Sequence, residues 1–166
     1  MACEDTAGAL LRALAASKKG GRLLELGTGT GVGTSWLLDG MDQQSRLTTV
    51  DVSAEYQQVA RQVFAPDSRL EIVTCDAAEF LTRQTRESFD LVFADAMPGK
   101  FFCLDEALVL VKPGGFYVVD DLLPQENWPA DHAPKVEQLI EKLGSLANFR
   151  SVPLAWSSGI MILVQI

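Results

Sequence analysis

The sequence predicts an α/β fold, in which a mostly parallel β-sheet carries helices on both of its faces. The first observation is that short apolar runs alternate along the chain with segments whose apolar residues recur at helical spacing. Alternation of this kind is typical of parallel strands that are connected through helices. The second observation is that only Ser157, Ser158 and Gly159 separate the last two apolar runs, which indicates an antiparallel hairpin.

Five segments repeat one helical pattern, in which apolar residues stand at positions i, i+3, i+4 and i+7. Each apolar stripe is expected to face the sheet, and a sixth, short helix is expected over residues 77–83. In chain order the stripes are Ala7-Leu10-Leu11-Leu14, a weaker one through Val32 and Trp36, Tyr56-Val59-Ala60-Val63, Leu104-Ala107-Leu108-Val111 and Val136-Leu139-Ile140-Leu143.

Between these helices lie short and mostly apolar runs, which predict strands. Runs of this length between helices favour strands that are buried on both faces of the sheet. The predicted strands are 22–26, 46–50, 70–74, 89–94 and 116–119, followed by the hairpin 151–156 and 160–166.

Length and charge limit the classes of protein. The 166 residues are 48% apolar and 22% charged, which predicts one soluble domain over residues 1–166, with an N-terminal helical segment over 1–21 and no separate substrate domain. The net charge of -8 argues against a nucleic-acid partner and suits a ligand that is partly cationic. His132 is the lone histidine, which excludes a histidine-rich metal site and argues against a Ser-His-Asp hydrolase.

Cysteine usage and the first residues predict a cytoplasmic protein. Cys3, Cys75 and Cys103 are odd in number and fit no metal spacing, so we expect free thiols in a reducing compartment. The acidic start at Glu4 and Asp5 does not fit a secretion signal. No apolar run approaches the roughly 20 residues that a membrane-spanning helix needs, so we expect no membrane partner.

A glycine-rich turn follows the first predicted strand, where residues 24–33 read LELGTGTGVG. Glycines let a ligand approach the backbone, and the start of the next helix offers unpaired N–H groups. The spacing is E-x-G-x-G-x-G and not the dinucleotide pattern GxGxxG, because the sixth position is Val32 when counted from Gly27 and Thr34 when counted from Gly29. A phosphate-binding P-loop is excluded, since no Gly-Lys-Ser/Thr follows. The alternative is a glycine-rich turn without a ligand, which costs considerable chain entropy.

Each of the first five predicted strands carries an acid at or near its carboxyl end. Ligands of open α/β sheets bind beyond those ends. Some of these acids have structural alternatives, because Asp76 followed by Glu79 has the form of a helix cap and Asp51 precedes Ser53, itself a good cap. Asp51 stands 24 residues after Gly27, where an acid accepts hydrogen bonds from ribose hydroxyls, so a nucleoside ligand is expected. The acids are Glu25, Asp51, Asp76, Asp95 and Asp120, with Asp121 adjacent.

From these motifs the sequence resembles a class I S-adenosylmethionine-dependent methyltransferase and, more narrowly, the small-molecule O-methyltransferases of the catechol and caffeoyl-CoA type. The similarity runs over about residues 23–121 and rests on LELGTGTGVG, TTVDVS, CDA, FDLVFADAMPGKF and VKPGGFYVVDD. The resemblance implies a Rossmann-like three-layer sandwich with a seven-stranded sheet of order 3-2-1-4-5-7-6, whose last strand is antiparallel.

The resemblance also implies which residues bind S-adenosylmethionine and its product S-adenosylhomocysteine. Glu25 and the glycine backbone would hold the methionine part, with the ammonium group near Glu25 and Asp95. Asp51 would accept the ribose hydroxyls, and Asp76 with the Ala77 N–H would read the adenine edge. The complete cofactor-binding prediction is Glu25, Gly27, Thr28, Gly29, Gly31, Thr34, Asp51, Val52, Asp76, Ala77 and Asp95.

Metal-dependent members of the family bind Mg²⁺, and the corresponding positions here are Asp95, Asp120 and Asp121. Their oxygen ligands suit Mg²⁺ or Ca²⁺, either of which would orient an acceptor hydroxyl and lower its pKa. The sequence departs from the family at Pro98, where a lysine is usual, and the nearest lysine is Lys100. Asp95 and Lys100 are therefore the catalytic candidates, and a surface lysine at the start of a helix is the alternative for Lys100.

The sequence thus predicts methyl transfer to a small-molecule acceptor, at a hydroxyl oxygen. The alternatives are a non-catalytic domain that binds S-adenosylmethionine in an assembly or as a sensor, and a nicotinamide-dependent oxidoreductase, which the glycine spacing disfavours. About 21 residues precede the first strand, fewer than in the family, so the pocket is expected to be more open or completed by a partner in a homodimer. Residues 122–134 form a long loop, in which Trp128 is either a wall of the acceptor pocket or an anchor to the core.

Overall fold

The computed structural model describes residues 3–125, 128, 129 and 131–166. Strands and helices alternate over most of this length, as the sequence predicts. In chain order the elements are α1 (Asp5–Ala16), β1 (Arg22–Leu26), α2 (Val32–Gly40), β2 (Arg46–Asp51), α3 (Ala54–Phe64), β3 (Leu70–Thr74), α4 (Ala77–Thr82), β4 (Phe89–Ala94), α5 (Leu104–Leu108), β5 (Val111–Val119), α6 (His132–Gly144), β6 (Phe149–Leu154) and β7 (Ile160–Gln165).

The strands form one seven-stranded sheet in the order β3-β2-β1-β4-β5-β7-β6, which confirms the order that the family resemblance implied. The pairs from β3 to β5 are parallel, whereas β7 runs antiparallel to β5 and to β6. Leu26 is in register with Val50 on one side and Ala94 on the other. The carboxyl ends of β1, β2 and β4 therefore lie at one level, where the strand order reverses between β1 and β4. A reversal of this kind opens a ligand crevice in α/β sheets.

Helices pack on both faces of the sheet. Leu23 of β1 belongs to a cluster on one face with Leu11 of α1 and Leu37 of α2. The next residue, Leu24, belongs to the cluster on the other face, with Leu108 of α5 and Leu139 of α6. This alternation follows from the two-residue period of a strand and produces the three-layer sandwich.

The predicted orientation of α3 is wrong. Its expected apolar stripe leaves Tyr56, Val59 and Val63 at the surface, with 61%, 46% and 62% of their area exposed. The buried face is formed by Gln57 and Ala60. Hydrogen bonds of Gln57 explain this orientation of α3. The Gln57 amide donates to the main-chain oxygen of Val73 and to the Thr28 hydroxyl, each at 2.9 Å. The resulting buried hydrogen bonds compensate for the apolar area left in water.

Other features also differ from the prediction. β3 lies at the edge of the sheet, so its side chains are only partly buried and not enclosed on both faces. β5 begins at Val111, five residues earlier than predicted, and the helix before it ends at Leu108. Phe89 of β4 pairs with Val111 of β5, and the register of the two strands then shifts. The residues Pro113, Gly114 and Gly115 of β5 lie at this shift.

No helix in the described part of the chain combines the length and apolar composition of a membrane span.

The N-terminal helix packs directly on α2 through glycine. A Cβ atom built on Gly40 would lie 2.9 Å from the Cα and the carbonyl carbon of Arg12, and closer still to its oxygen. Real Cβ atoms do not approach backbone so closely, so the contact between α1 and α2 requires glycine here.

We expect Gly40→Ala to lower the free energy of unfolding by about 2 kcal/mol, because the added methyl group must push the α1 backbone away. Gly144→Ala is the matched control, since Gly144 also ends a helix and its Cβ would meet nothing within 4 Å. That variant should change stability by less than about 1 kcal/mol. Urea unfolding followed by circular dichroism measures both, and equal effects would contradict the packing described here.

Candidate functional site

The glycine-rich turn crosses the carboxyl end of β1 and is tied to the end of β2. The Gly27 N–H donates to the main-chain oxygen of Val50 at 2.8 Å, and the Gly29 N–H donates to Asp51 Oδ2 at 2.9 Å. Gly29 has a φ of 49°, and a Cβ built on it would meet nothing within 4 Å. The turn therefore exposes its backbone to an open space instead of packing on protein.

That space is a cavity of about 440 Å³, within the usual range for small-molecule sites. We call it the nucleoside cavity. It brings together five of the predicted cofactor-binding residues, which are Gly27, Thr28, Gly29, Asp51 and Asp95. The strand-end acids Asp51 and Asp95 thus line one cavity, although 44 residues separate them.

Glu25 lies beneath the turn and is fully buried. Its Oε2 accepts hydrogen bonds from the hydroxyls of Thr34 and Thr49, the latter at 2.6 Å. Its Oε1 has no hydrogen-bond partner among the described residues and packs against Gly33, which lines the cavity. Burial raises the pKa of Glu25 to about 7, although the two hydroxyls act in the opposite direction.

A chain of hydrogen bonds leads from α3 to this carboxylate. The Thr49 hydroxyl gives its single proton to Glu25, so the Thr28 hydroxyl must donate to Thr49, at 2.7 Å. Gln57 then donates to Thr28. Thr28 and Thr34, both predicted to bind the cofactor, therefore use their hydroxyls inside the protein.

The remaining predicted cofactor-binding residues lie outside the nucleoside cavity. Gly31 directly precedes α2 as its cap, and a Cβ built there would lie 2.9 Å from side-chain atoms of Ala60 and Phe64 on α3. Val52 is 75% exposed. Asp76 caps α4, accepting from the N–H groups two and three residues later, and Ala77 is buried at the start of that helix. The cap alternative for Asp76 is thus observed.

A second cavity, of about 210 Å³, adjoins the first and shares Asp95 and Ala96 with it. We call it the acceptor cavity. Aromatic rings form one side of it, with the His132 ring centroid 5.1 Å from that of Phe101 and 4.6 Å from that of Trp128. Trp128 therefore serves as a wall of this cavity and also packs against the core. Residues 126, 127 and 130 of the predicted loop lie outside the described part of the chain.

Lys100 lies in the interior, with 5% of its surface exposed, so the surface-lysine alternative is wrong. Its ammonium group donates to the main-chain oxygen of Asp120 at 2.8 Å and lies 3.8 Å from Asp121 Oδ2. The preceding Gly99 has a φ of 82°, and its main-chain oxygen accepts a hydrogen bond from the buried Tyr117 hydroxyl. This turn directs Lys100 inward.

The predicted metal ligands do not form a metal site. Asp120 Oδ1 accepts hydrogen bonds from the Ser158 hydroxyl and from the Asp121 N–H, the latter at 2.7 Å. Burial raises the pKa of Asp120 and of Asp95, and the charge of Lys100 lowers both. Across residues 3–125, 128, 129 and 131–166, no three His, Cys, Asp or Glu side chains group to hold a metal ion. Within the predicted set Asp95, Asp120 and Asp121, one Asp120 oxygen faces protein donors and the Asp121 carboxylate faces the Lys100 ammonium group.

The structure adds site residues that the sequence did not indicate. Tyr56 and Cys3 line the nucleoside cavity, and Phe101 and His132 line the acceptor cavity. The Ser157 hydroxyl donates a hydrogen bond to the Glu4 carboxylate at 2.6 Å, which holds the N-terminal segment against the β6–β7 turn. This contact places the neighbouring Cys3 at the wall of the nucleoside cavity. The position of Tyr56, three residues after the predicted cap Ser53, is the sequence signal that places it near the end of β2, whereas Cys3 carries no sequence signal.

Comparisons with known proteins agree with this geometry. A provisionally named O-methyltransferase of Mycolicibacterium vanbaalenii is 41% identical over 123 residues, which cover 71% of this chain and 54% of that protein. The chain spans about half the length of the curated relatives it matches.

Solved structures show the same fold. The O-methyltransferase from Bacillus cereus, in complex with S-adenosylhomocysteine, has a TM-score of 0.83 and 24% identity, covering 98% of this chain and 82% of that one. A provisionally named caffeoyl-CoA O-methyltransferase from Staphylococcus aureus has a TM-score of 0.81 and 20% identity, covering 98% and 84%.

A family described as a methyltransferase domain matches residues 24–122, more than half of the chain. Those residues include the glycine-rich turn, both acids of the nucleoside cavity and the turn that carries Lys100. The chain therefore belongs to the methyltransferase domain family.

Proposed function

We propose that the chain transfers a methyl group from S-adenosylmethionine to a hydroxyl oxygen of a small molecule. One observation carries this proposal: two cavities meet at Asp95 and Ala96, one lined by the glycine-rich turn and the other by aromatic rings and Lys100. A donor in the first and an acceptor in the second would be neighbours, as a direct transfer requires.

The nucleoside cavity fits S-adenosylmethionine in shape and in polar groups. Each oxygen of Asp51 accepts one backbone N–H, from Gly29 or from Ser53, and so retains a lone pair for a ribose hydroxyl. The open space at Gly29 would accommodate the methionine part against the backbone. Tyr56, half in solvent at the cavity edge, would cover the ribose, and Asp76 with Ala77 would contact the adenine beyond it. The complex of the Bacillus cereus protein with S-adenosylhomocysteine supports this assignment.

The carboxylates near the cavity suit a cationic ligand. Burial raises the pKa of Glu25, which the hydroxyls of Thr34 and Thr49 offset only in part. Burial also raises the pKa of Asp95, which the charge of Lys100 offsets only in part. A further positive charge would therefore stabilise both ionised forms. The bound cofactor supplies a methyl group on a positively charged sulfur, beside an ammonium group. Glu25 and Asp95 would favour that charge, and the ligand would in turn favour their ionised forms.

Residues of the acceptor cavity would remove the proton of the acceptor hydroxyl and stabilise the negative charge that develops on its oxygen. In the transfer, the acceptor oxygen would form a bond to the methyl carbon as the carbon–sulfur bond breaks, and the electron pair of that bond would stay on sulfur. Asp95 would take the hydroxyl proton, since a carboxylate of raised pKa is the stronger base. The Lys100 ammonium would stabilise negative charge on the oxygen. Phe101 and Trp128 would hold a flat acceptor. The donor set does not fit a divalent metal, so no step is assigned to one.

We expect S-adenosylhomocysteine to bind with micromolar affinity and Asp51→Asn to weaken binding about tenfold or more, because one oxygen acceptor for the ribose hydroxyls is lost. Isothermal titration calorimetry measures this. Asp39→Asn is the control, as Asp39 is an exposed acid that pairs with Arg12. Binding of NAD in place of S-adenosylhomocysteine would instead support an oxidoreductase.

We expect the stability of the wild-type protein, relative to Glu25→Gln, to fall by about 3 kcal/mol as pH rises from 4.5 to 7. Below this window Glu25 is protonated in both states. Within it the unfolded chain loses the proton while the folded chain keeps it, so folding becomes less favourable. Urea unfolding across this pH range tests the expectation, with Glu55→Gln as the exposed control, and a flat difference would show that Glu25 is not desolvated.

We expect Asp95→Asn to lower turnover about a hundredfold or more and to lower the affinity for S-adenosylhomocysteine by a smaller factor, because the acceptor proton loses its base while the glycine-rich turn and Asp51 still hold the cofactor. Transfer of a labelled methyl group to a panel of phenols measures the effect, with Asp39→Asn again as control. A wild-type protein that binds the cofactor and methylates no acceptor would instead be the non-catalytic domain of the alternative hypothesis.

A further inference from the structure

Lys100 is a buried cation surrounded by carboxylates. Its ammonium group bonds to the main chain of Asp120 and lies 3.8 Å from the carboxylate of Asp121. Its charge also acts on Asp95, across the acceptor cavity that all of Lys100, Asp95 and Asp121 line. Burying an ammonium group is costly unless negative charge compensates it. The nearby carboxylates therefore stabilise the buried charge of Lys100, and Lys100 stabilises their ionised forms.

The backbone around Lys100 fixes its direction. Gly99 adopts a positive φ, and a side chain there would collide with Tyr117, Leu26 and Ala94. The N–H groups of Lys100 and Phe101 donate to the main-chain oxygen of Met97, which closes the turn. The lysine is therefore held by a rigid turn and not by a flexible surface loop.

Two oxygen atoms of Asp120 that a divalent ion could use are already engaged. Asp120 Oδ1 accepts from Ser158 and from the Asp121 N–H, and the Asp120 main-chain oxygen accepts from Lys100. Mg²⁺ demands octahedral oxygen coordination at about 2.0–2.1 Å, and a neighbouring ammonium group repels it. Both features oppose an ion between these carboxylates.

We propose that the Lys100 ammonium group is the resident cation of the acceptor cavity and takes the place of a divalent metal among Asp95, Asp120 and Asp121. The role of the Lys100 ammonium group would be to hold an acceptor oxygen beside the nucleoside cavity. This role alone rests on the proposed methyl-transfer function. The charge arrangement itself can be tested without cofactor or acceptor.

The test is Mn²⁺ binding to the purified chain, followed by loss of the free-ion signal in electron paramagnetic resonance. The wild-type protein should bind Mn²⁺ no more tightly than about 1 mM, because the Lys100 ammonium group repels a second cation and offsets part of the negative charge. Lys100→Gln keeps a donor toward the Asp120 main chain but removes the charge, and should bind Mn²⁺ at least about tenfold more tightly. Lys100→Met is the second variant, should the first fail to fold.

The matched control is Lys142→Gln, since Lys142 pairs with Asp105 near the surface and should leave Mn²⁺ binding unchanged. Tight Mn²⁺ binding by the wild-type protein that Asp121→Asn abolishes would overturn the proposal. Folded Lys100 variants that bind no more Mn²⁺ than the wild type would also overturn it, because the carboxylates would then not form a cation site that the lysine fills.

Titration with S-adenosylhomocysteine on the same samples separates this inference from the proposed function. A protein that binds no S-adenosylhomocysteine but shows the expected Mn²⁺ pattern contradicts the methyl-transfer function alone. A protein that binds the product and also binds Mn²⁺ tightly at the carboxylates contradicts the role of Lys100 alone.

Discussion

The carboxylate of Glu25 is the group on which the ligand-binding edge of the sheet depends. It is fully buried at the end of β1, and hydroxyls from α2 and β2 donate to one of its oxygens. Because the Thr49 hydroxyl donates its proton to Glu25, it accepts a hydrogen bond from the Thr28 hydroxyl, and the Gln57 amide in turn donates to Thr28. One buried acid thereby aligns the glycine-rich turn with β2 and α3. The orientation of α3, with Gln57 inward and Tyr56 at the mouth of the nucleoside cavity, follows from this requirement.

The sequence predicts that the glycine-rich turn, Asp51 and Asp95 lie at one edge of the sheet, because that arrangement follows from local signals. The glycine spacing, the acid that ends β2 and the alternation of strands and helices are all short-range features. Parallel strands bring their carboxyl ends to one edge, so placing Asp51 and Asp95 together requires only the strand order. The sequence fails at α3, because apolar periodicity takes Tyr56, Val59 and Val63 to be core and cannot show that a buried glutamine has hydrogen-bond partners.

The acceptor side is less predictable, because its geometry depends on contacts between distant segments. The direction of Lys100 is set by Gly99 and by the Tyr117 hydroxyl, which lies 18 residues further along the chain. The Asp120 carboxylate is turned by Ser158, which is 38 residues away. A motif of three acids looks the same whether those oxygens face an ion or protein donors. The family resemblance therefore suggests a cation among these acids without showing which cation it is.

The charges of the two cavities must be considered together. Glu25 and Asp95 have pKa values raised by burial, so a cationic ligand on the nucleoside side would stabilise their ionised forms. The acceptor side has its positive charge built in, since Lys100 stays buried beside Asp121. A cofactor whose sulfur is positively charged on binding and uncharged on release would change the charge of the nucleoside cavity but not that of the acceptor cavity. If Lys100 supplies the cation on the other side, that cation is a point charge that orients a single oxygen, whereas a divalent ion chelates two. The acceptor would then need one hydroxyl and not a neighbouring pair, because the second oxygen would have no ligand position to fill.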